Sequence, residues 1–173
     1  INESQALIIT IININDNTPV ISSAASLSAD ENQTAVDTAT YTDADGAIST
    51  YSFSLSGTDS SALSINSTSG VIGFNSAPNY EVKNSYAVTV EIDDGQFSSD
   101  QETTISINDV NDAPVITSLT AFSIDEYNTK IGNIAATDED GDTLTYSISG
   151  TDADLISFNP SSKMMYFKSY PNF

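Results

Sequence analysis

The chain has 173 residues, with 24 acidic side chains against 4 basic ones and a formal net charge of −20. That balance repels a phosphate backbone and an anionic bilayer surface, so neither nucleic acid nor membrane insertion is expected. Histidine, cysteine and tryptophan are absent, which removes disulfides, thiolate metal sites, the commonest zinc ligand and the usual general base, and leaves hard oxygen donors as the available chemistry.

Residues 1–14 carry the densest apolar stretch, Leu7-Ile8-Ile9 with Ile11-Ile12, far short of the ~20 residues a spanning helix needs. Ile9, Ile11 and Asn15-Asp16 align with Ile105, Ile107 and Asn111-Asp112, so residues 1–14 are expected to be the last strand of an upstream repeat. A turn at Asn17 to Pro19 leads to Asp30-Glu31-Asn32 and then to the acidic turn Asp43-Ala44-Asp45-Gly46. Period-two alternation marks strands at Tyr51, Phe53 and Leu55, at Leu63 and Ile65, at Val88, Val90 and Ile92, at Ile105 and Ile107, and at Tyr146 and Ile148. Turn formers separate them at Ser69-Gly70, Asp94-Gly95, Asn111 to Pro114 and Asp140-Gly141. No stretch carries a helical period. The predicted core is Phe53, Leu55, Ile65, Val71, Phe74, Val88, Val90, Ile105 and Ile107; a less favoured use of Tyr51 with Tyr146, or Tyr80 with Phe173, is an exposed platform for sugars.

The landmarks recur in one order. Pro19 and Pro114 stand 95 positions apart (114 − 19), as do Glu31 and Glu126 (126 − 31); TDADG at 42–46 answers TDEDG at 137–141, and Ser-Gly-Thr-Asp appears at 56–59 and 149–152. A period of this length exceeds a solenoid unit and matches one small β domain, so the expected fold is an all-β Greek-key sandwich of the immunoglobulin kind, in tandem. The register gives residues 1–14 to an upstream repeat, 15–112 to a complete repeat and 113–173 to a truncated second one, within a longer parent.

The acids fall where a sandwich gathers its loops. Glu31 follows an early strand, Glu81 follows the turn at Pro78, and Asp109 and Asp112 lie in the linker, so all four can meet at the bottom of the complete repeat; Asp138 and Asp140 belong to the top of the next. Bare, two like charges 4 Å apart cost about 1 kcal/mol in water and roughly 4 kcal/mol at an effective dielectric of 20. A divalent cation reverses that sign. Scattered carboxylates and carbonyls suit Ca²⁺, which takes six to eight oxygens in loose geometry, better than the stricter octahedron of Mg²⁺. A plain solvated acidic surface is the competing reading. An EF-hand at Asp138, Asp140 and Asp142 fails, because the glycine falls at the wrong loop position and Ser149 stands where a bidentate acid belongs.

These motifs resemble the cadherin repeat. Asn13-Ile14-Asn15-Asp16-Asn17-Thr18-Pro19 is similar to its linker, as is Asp109-Val110-Asn111-Asp112-Ala113-Pro114 with one residue fewer; Asp30-Glu31-Asn32, Asp125-Glu126-Tyr127, Asn79-Tyr80-Glu81, Asp43-Ala44-Asp45, Asp138-Glu139-Asp140 and Asp94 match its remaining acidic elements. The resemblance implies Ca²⁺ held by Glu31, Glu81, Asp109, the Val110 carbonyl, Asn111, Asp112, Asp138 and Asp140. It also implies a half-site of Asn13, Asn15, Asp16, Asp43, Asp45 and Asp94, weak or empty without upstream donors. Asn79 in place of the family's Asp and the shortened linker favour one or two ions over three.

The function this implies is a calcium-stiffened spacer or adhesive segment of a large bacterial surface adhesin, extracellular or on the cell surface, with neighbouring repeats as its first partners. A calcium-dependent carbohydrate- or protein-binding module is the alternative, and a homotypic dimer through an exchanged end strand is a variant. Glycoside hydrolysis by a carboxylate pair is the third class, but no acid is marked as buried and proton-bearing, so an enzyme is not expected.

Overall fold

The computed structural model describes residues 5–46 and 51–172. The chain divides into two compact units, Ile1–Val110 and Asn111–Phe173. In chain order the first unit forms β1 (Val20–Ile21), β2 (Ser26–Asp30), β3 (Ala35–Thr38), β4 (Tyr41–Thr42), β5 (Ser52–Ser56), β6 (Leu63–Ile65), β7 (Val71–Phe74), β8 (Ser85–Asp93) and β9 (Ser98–Asn108). One sheet has the order β2-β9-β8-β5, the other β3-β7-β6, and β1 pairs with β4 beside them. The β8–β9 hairpin is antiparallel from Ser85 opposite Ser106 to Asp93 opposite Ser98. β2 runs parallel to β9, with Ser26 beside Thr104 and Asp30 beside Asn108. The result is an all-β sandwich.

Alternation explains the core. Val88, Val90 and Ile92 on β8 and Ile105 and Ile107 on β9 point inward with Phe53, Leu63, Ile72 and Phe74, while Thr89, Glu91 and Ser106 between them lie on the other face, half-buried or exposed. Leu55 and Ile65 pack against this cluster half-buried. Val71 is a correction, since its side chain is exposed. Ile72 and Phe74 share the inner face of β7, and in a strand of period two Val71, three residues before Phe74, must face outward. Tyr51 and Tyr80 also pack against the core, which leaves neither as a free stacking platform; Phe173 lies outside the described residues.

Residues 5–14 form no strand, and Leu7, Ile8, Ile9, Ile11, Ile12 and Ile14 are exposed.

The second unit repeats part of the first. β10 (Val115–Ile116) pairs with β12 (Ala136–Thr137), as β1 does with β4, and β11 (Lys130–Asn133), β14 (Met164–Phe167) and β13 (Ile156–Asn159) form a sheet ordered like β3-β7-β6. Backbone detail repeats too: Asn32 and Tyr127, just after the recurring glutamates Glu31 and Glu126, adopt left-handed φ values of 62° and 61°. By that register residues 121–125 answer to β2 and residues 145–149 to β5. Neither stretch is a strand, and among the described residues no strand occupies the place of β8 or β9 beside them. No helix in the described residues is long and apolar enough to cross a membrane.

Candidate metal centres

The linker end of the first unit is organised around Asp45. Its Oδ2 accepts the main-chain N–H of Asp16 at 3.0 Å and of Asn17 at 2.6 Å, and its Oδ1 accepts Asn17 Nδ2 at 2.6 Å. The Asn13 side-chain amide donates to the Asp45 carbonyl at 2.7 Å, and Asp43 Oδ1 accepts the Asp45 N–H at 2.7 Å. Burial raises the Asp45 pKa, but the donors from Asn17 and Asp16 outweigh it and hold the carboxyl below its ordinary value.

Asp94 closes the same group from the β8–β9 turn. It is only 2% exposed, and its Oδ1 accepts the N–H groups of Gln96 at 2.8 Å and Phe97 at 2.7 Å. Burial again works to raise its pKa, the bonds from Phe97, Gln96 and the Asn15 side chain lower it further than that, and the nearby Asp45 charge pushes back. Three oxygens are left over. Asn15 Oδ1, Asp43 Oδ2 and Asp94 Oδ2 are buried with no hydrogen-bond partner. Buried oxygens are ordinarily satisfied, and three orphaned acceptors in one group are what a hard cation would satisfy.

The opposite end of the unit is built on Glu31, which lies on the turn leaving β2 and is 3% exposed. Its Oε2 accepts the Tyr80 N–H at 2.8 Å and its Oε1 the Val110 N–H at 2.9 Å, tying the β2 turn, the loop after Pro78 and the end of β9 together. Glu31, Glu81 and Asp109 bring carboxylate oxygens within 4.8 Å of one another. Three sequence-predicted carboxylates on this unit, Glu31, Glu81 and Asp109, therefore meet at one end, where Val110 engages Glu31 through its N–H, and Asn13, Asn15, Asp16, Asp43, Asp45 and Asp94 gather at the other. Oxygen donors alone supply both groups, which fits calcium and not a nitrogen- or sulfur-preferring metal.

In the second unit the Asp112 N–H donates to Asp140 Oδ2 at 2.6 Å, Asn111 Nδ2 donates to the Asp112 carbonyl at 2.9 Å, and Asp138 Oδ1 accepts the Asp142 N–H at 3.1 Å. The Asp112–Asp140 bond reproduces the Asp16–Asp45 bond of the first unit; the bonds of Asn111 and Asp138 have no counterpart among its described residues. Sequence reasoning did not assign Asn17 a role at the site; its place directly after Asn15-Asp16 in the linker was the available signal. The amide contributions of Tyr80, Gln96 and Phe97 carry no side-chain signature at all.

No protein-family profile matches the chain. A chitinase A of Pseudoalteromonas piscicida is 35% identical over 88 residues, which cover 50% of this chain and 10% of that protein, so the chain spans about a tenth of the length of this curated relative. Among solved structures, mouse cadherin-23 EC22-24 is 24% identical with a TM-score of 0.53, covering 93% of this chain and 57% of that one. Human protocadherin-24 EC1-2 is 19% identical with a TM-score of 0.60, covering 91% and 80%. The fold is that of cadherin extracellular domains, a β-sandwich.

Proposed function

We propose that the chain is a calcium-binding, cadherin-like segment of a larger exported bacterial adhesin, working outside the cell or on its surface as a spacer or adhesive element. The observation that carries this reading is the set of partnerless buried oxygens on Asn15, Asp43 and Asp94. The Glu31, Glu81 and Asp109 carboxylates at the other end of the unit support it. On this reading 15–112 is a complete repeat, 1–14 ends an upstream one and 113–173 begins the next. Calcium at the join would draw on Glu31, Glu81, Asp109, the Val110 carbonyl, Asn111, Asp112, Asp138 and Asp140.

The mechanism is linkage. An ion that binds only when consecutive repeats are aligned selects that alignment, adding about 2.7 kcal/mol when free calcium is a hundredfold above its dissociation constant. Extracellular calcium modules bind at about 10⁻⁴ to 10⁻³ M, so the join would be stiff outside a cell and loose inside it. Neighbouring repeats are then the first partners. Calcium titration by calorimetry, paired with X-ray scattering in calcium and in chelator, tests the proposal: saturable binding with a narrower spread of interdomain geometries is expected, and identical scattering profiles without heat would end it.

The partial match to a chitinase favours a second reading, a calcium-dependent carbohydrate-binding module attached to a catalytic region elsewhere in its parent. Retention on insoluble chitin that is lost on chelation would select it over the spacer.

A further inference from the structure

The first unit also carries a cleft of about 390 Å³ where the end of β7, the loop after it and the start of β8 come together. Its apolar lining is Phe74, Pro78, Val82 and Tyr86. The Phe74 and Tyr86 rings meet edge to face with centroids 4.9 Å apart, and Lys83 Nζ lies 4.7 Å from the centroid of Tyr86, so that half-buried ring is held from two directions. Val82 is 83% exposed, an aliphatic side chain that the unit leaves uncovered. The rim is polar. Asn75 Nδ2 donates to the carbonyls of Ser61 at 3.0 Å and Leu63 at 3.1 Å, which fixes the amide with its Oδ1 as an acceptor, and the Ser76 hydroxyl stands beside it. None of the lining residues is charged, on a chain whose net charge is −20.

We propose that this cleft binds a neutral, N-acetylated saccharide and that calcium at Glu31, Glu81 and Asp109 raises its affinity; the proposal rests on the carbohydrate-binding reading above. A volume of this size suits a small-ligand site, and a few fixed polar groups over an apolar floor are its usual construction. A sugar ring offers a C–H face to Tyr86 and Val82, its hydroxyls and amide pair with Asn75 and Ser76, and the acetamide methyl takes the apolar floor. Anionic polysaccharides are repelled by the acidic chain. The cleft also shares a loop with the acidic group. The Pro78 carbonyl accepts the Asn32 N–H at 3.0 Å, the Tyr80 N–H donates to Glu31 Oε2 at 2.8 Å, and Glu81, next to Val82, adds its carboxylate to the group. An ion that fixes this loop fixes the cleft wall, and the coupling between the two ligands is reciprocal.

Titration calorimetry of N-acetylated chitotetraose into the whole chain, in millimolar calcium and in chelator, tests this. Saturable binding is expected, about fivefold or more tighter in calcium, and about fourfold or more tighter than for cellotetraose, which lacks the acetamide groups. Val82→Ser should weaken binding about tenfold. Because Val82 is exposed and serine adds no charge beside Glu81, the variant's melting temperature and calcium isotherm should match the parent's. Amide chemical shifts that move on adding the saccharide should concentrate at residues 74–79 and 82–86. Undiminished binding by Val82→Ser, or shifts confined elsewhere, would overturn the cleft while the carbohydrate reading stood. Equal affinity in calcium and in chelator would overturn the coupling. No binding by the parent chain would end both that reading and this proposal.

Discussion

The main-chain amide of Asp112 donates to Asp140 Oδ2 at 2.6 Å, and the amide of Asp16, its counterpart, donates to Asp45 Oδ2 at 3.0 Å. The linker aspartate is thus locked by its backbone to the second acid of the Asp-x-Asp turn in both units. The two copies differ at the next position: Asn17 adds a side-chain bond to Asp45 Oδ1, and Ala113 has no donor to add.

Asn17→Ala removes that orienting bond while leaving every proposed ligand in place. Calcium affinity at the linker end should fall about tenfold, the lower range for groups that orient metal ligands. Titration calorimetry on the variant reads this directly; an unchanged binding isotherm would separate Asn17 from the site.

Asp94→Asn keeps the Oδ1 acceptor for Gln96 and Phe97 and deletes a buried negative charge whose second oxygen has no partner. Because the fold favours the ionised carboxyl, melting in chelator should be lower, and the upward shift that calcium gives the parent chain should shrink. A variant that responds fully to calcium would contradict the assignment.

Acid should weaken the calcium-free protein through this same end. Asp45 and Asp94 have folded-state pKa values below 3.8, so the stability they contribute is present above the unfolded value and lost as pH falls through the folded ones. Melting temperature measured from pH 5 downward should drop most steeply below 3.8, and Asp45→Asn should flatten that drop.

Glu31→Gln tests the opposite end. A carboxylate accepts from both Tyr80 and Val110, whereas an amide presents one oxygen and one N–H, so one buried main-chain donor faces another donor. The loss should be about 1 to 3 kcal/mol in urea unfolding without calcium, with a reduced calcium response in addition.

Gly70→Ala concerns the scaffold alone. Gly70 has φ of 72°, and an added Cβ would land on the Ala39 carbonyl oxygen, a backbone atom that cannot swing aside. A destabilisation of at least ~1 kcal/mol is expected with calcium affinity intact, measured by denaturant unfolding beside calorimetry.

Much of this was legible from the residues because both signals are local. Alternation at Val88, Val90, Ile105 and Ile107 reported which face of each strand meets the core, and the recurring acids reported which loops share an end. Val71 misled because apolar type outweighed strand parity. Residues 121–125 and 145–149 were illegible for a different reason: their pattern matches β2 and β5, yet a strand exists only where another strand accepts its hydrogen bonds, and that partner is distant in sequence. At the sites, acids and amides announce themselves by type. Main-chain donors such as those of Tyr80, Val110 and Phe97 become visible only once the chain is folded around the carboxylates.

β2 and β9 lie near the two ends of the first unit's strand order and run side by side in the same direction, joined through five residue pairs. When such a unit is pulled by its ends, β2 is drawn one way and β9 the other once the short β1–β4 contact yields. The rungs between them then bear load together in shear, where an antiparallel terminal pair would unzip one rung at a time. A fold wired this way resists stretching more than one whose terminal strands run antiparallel.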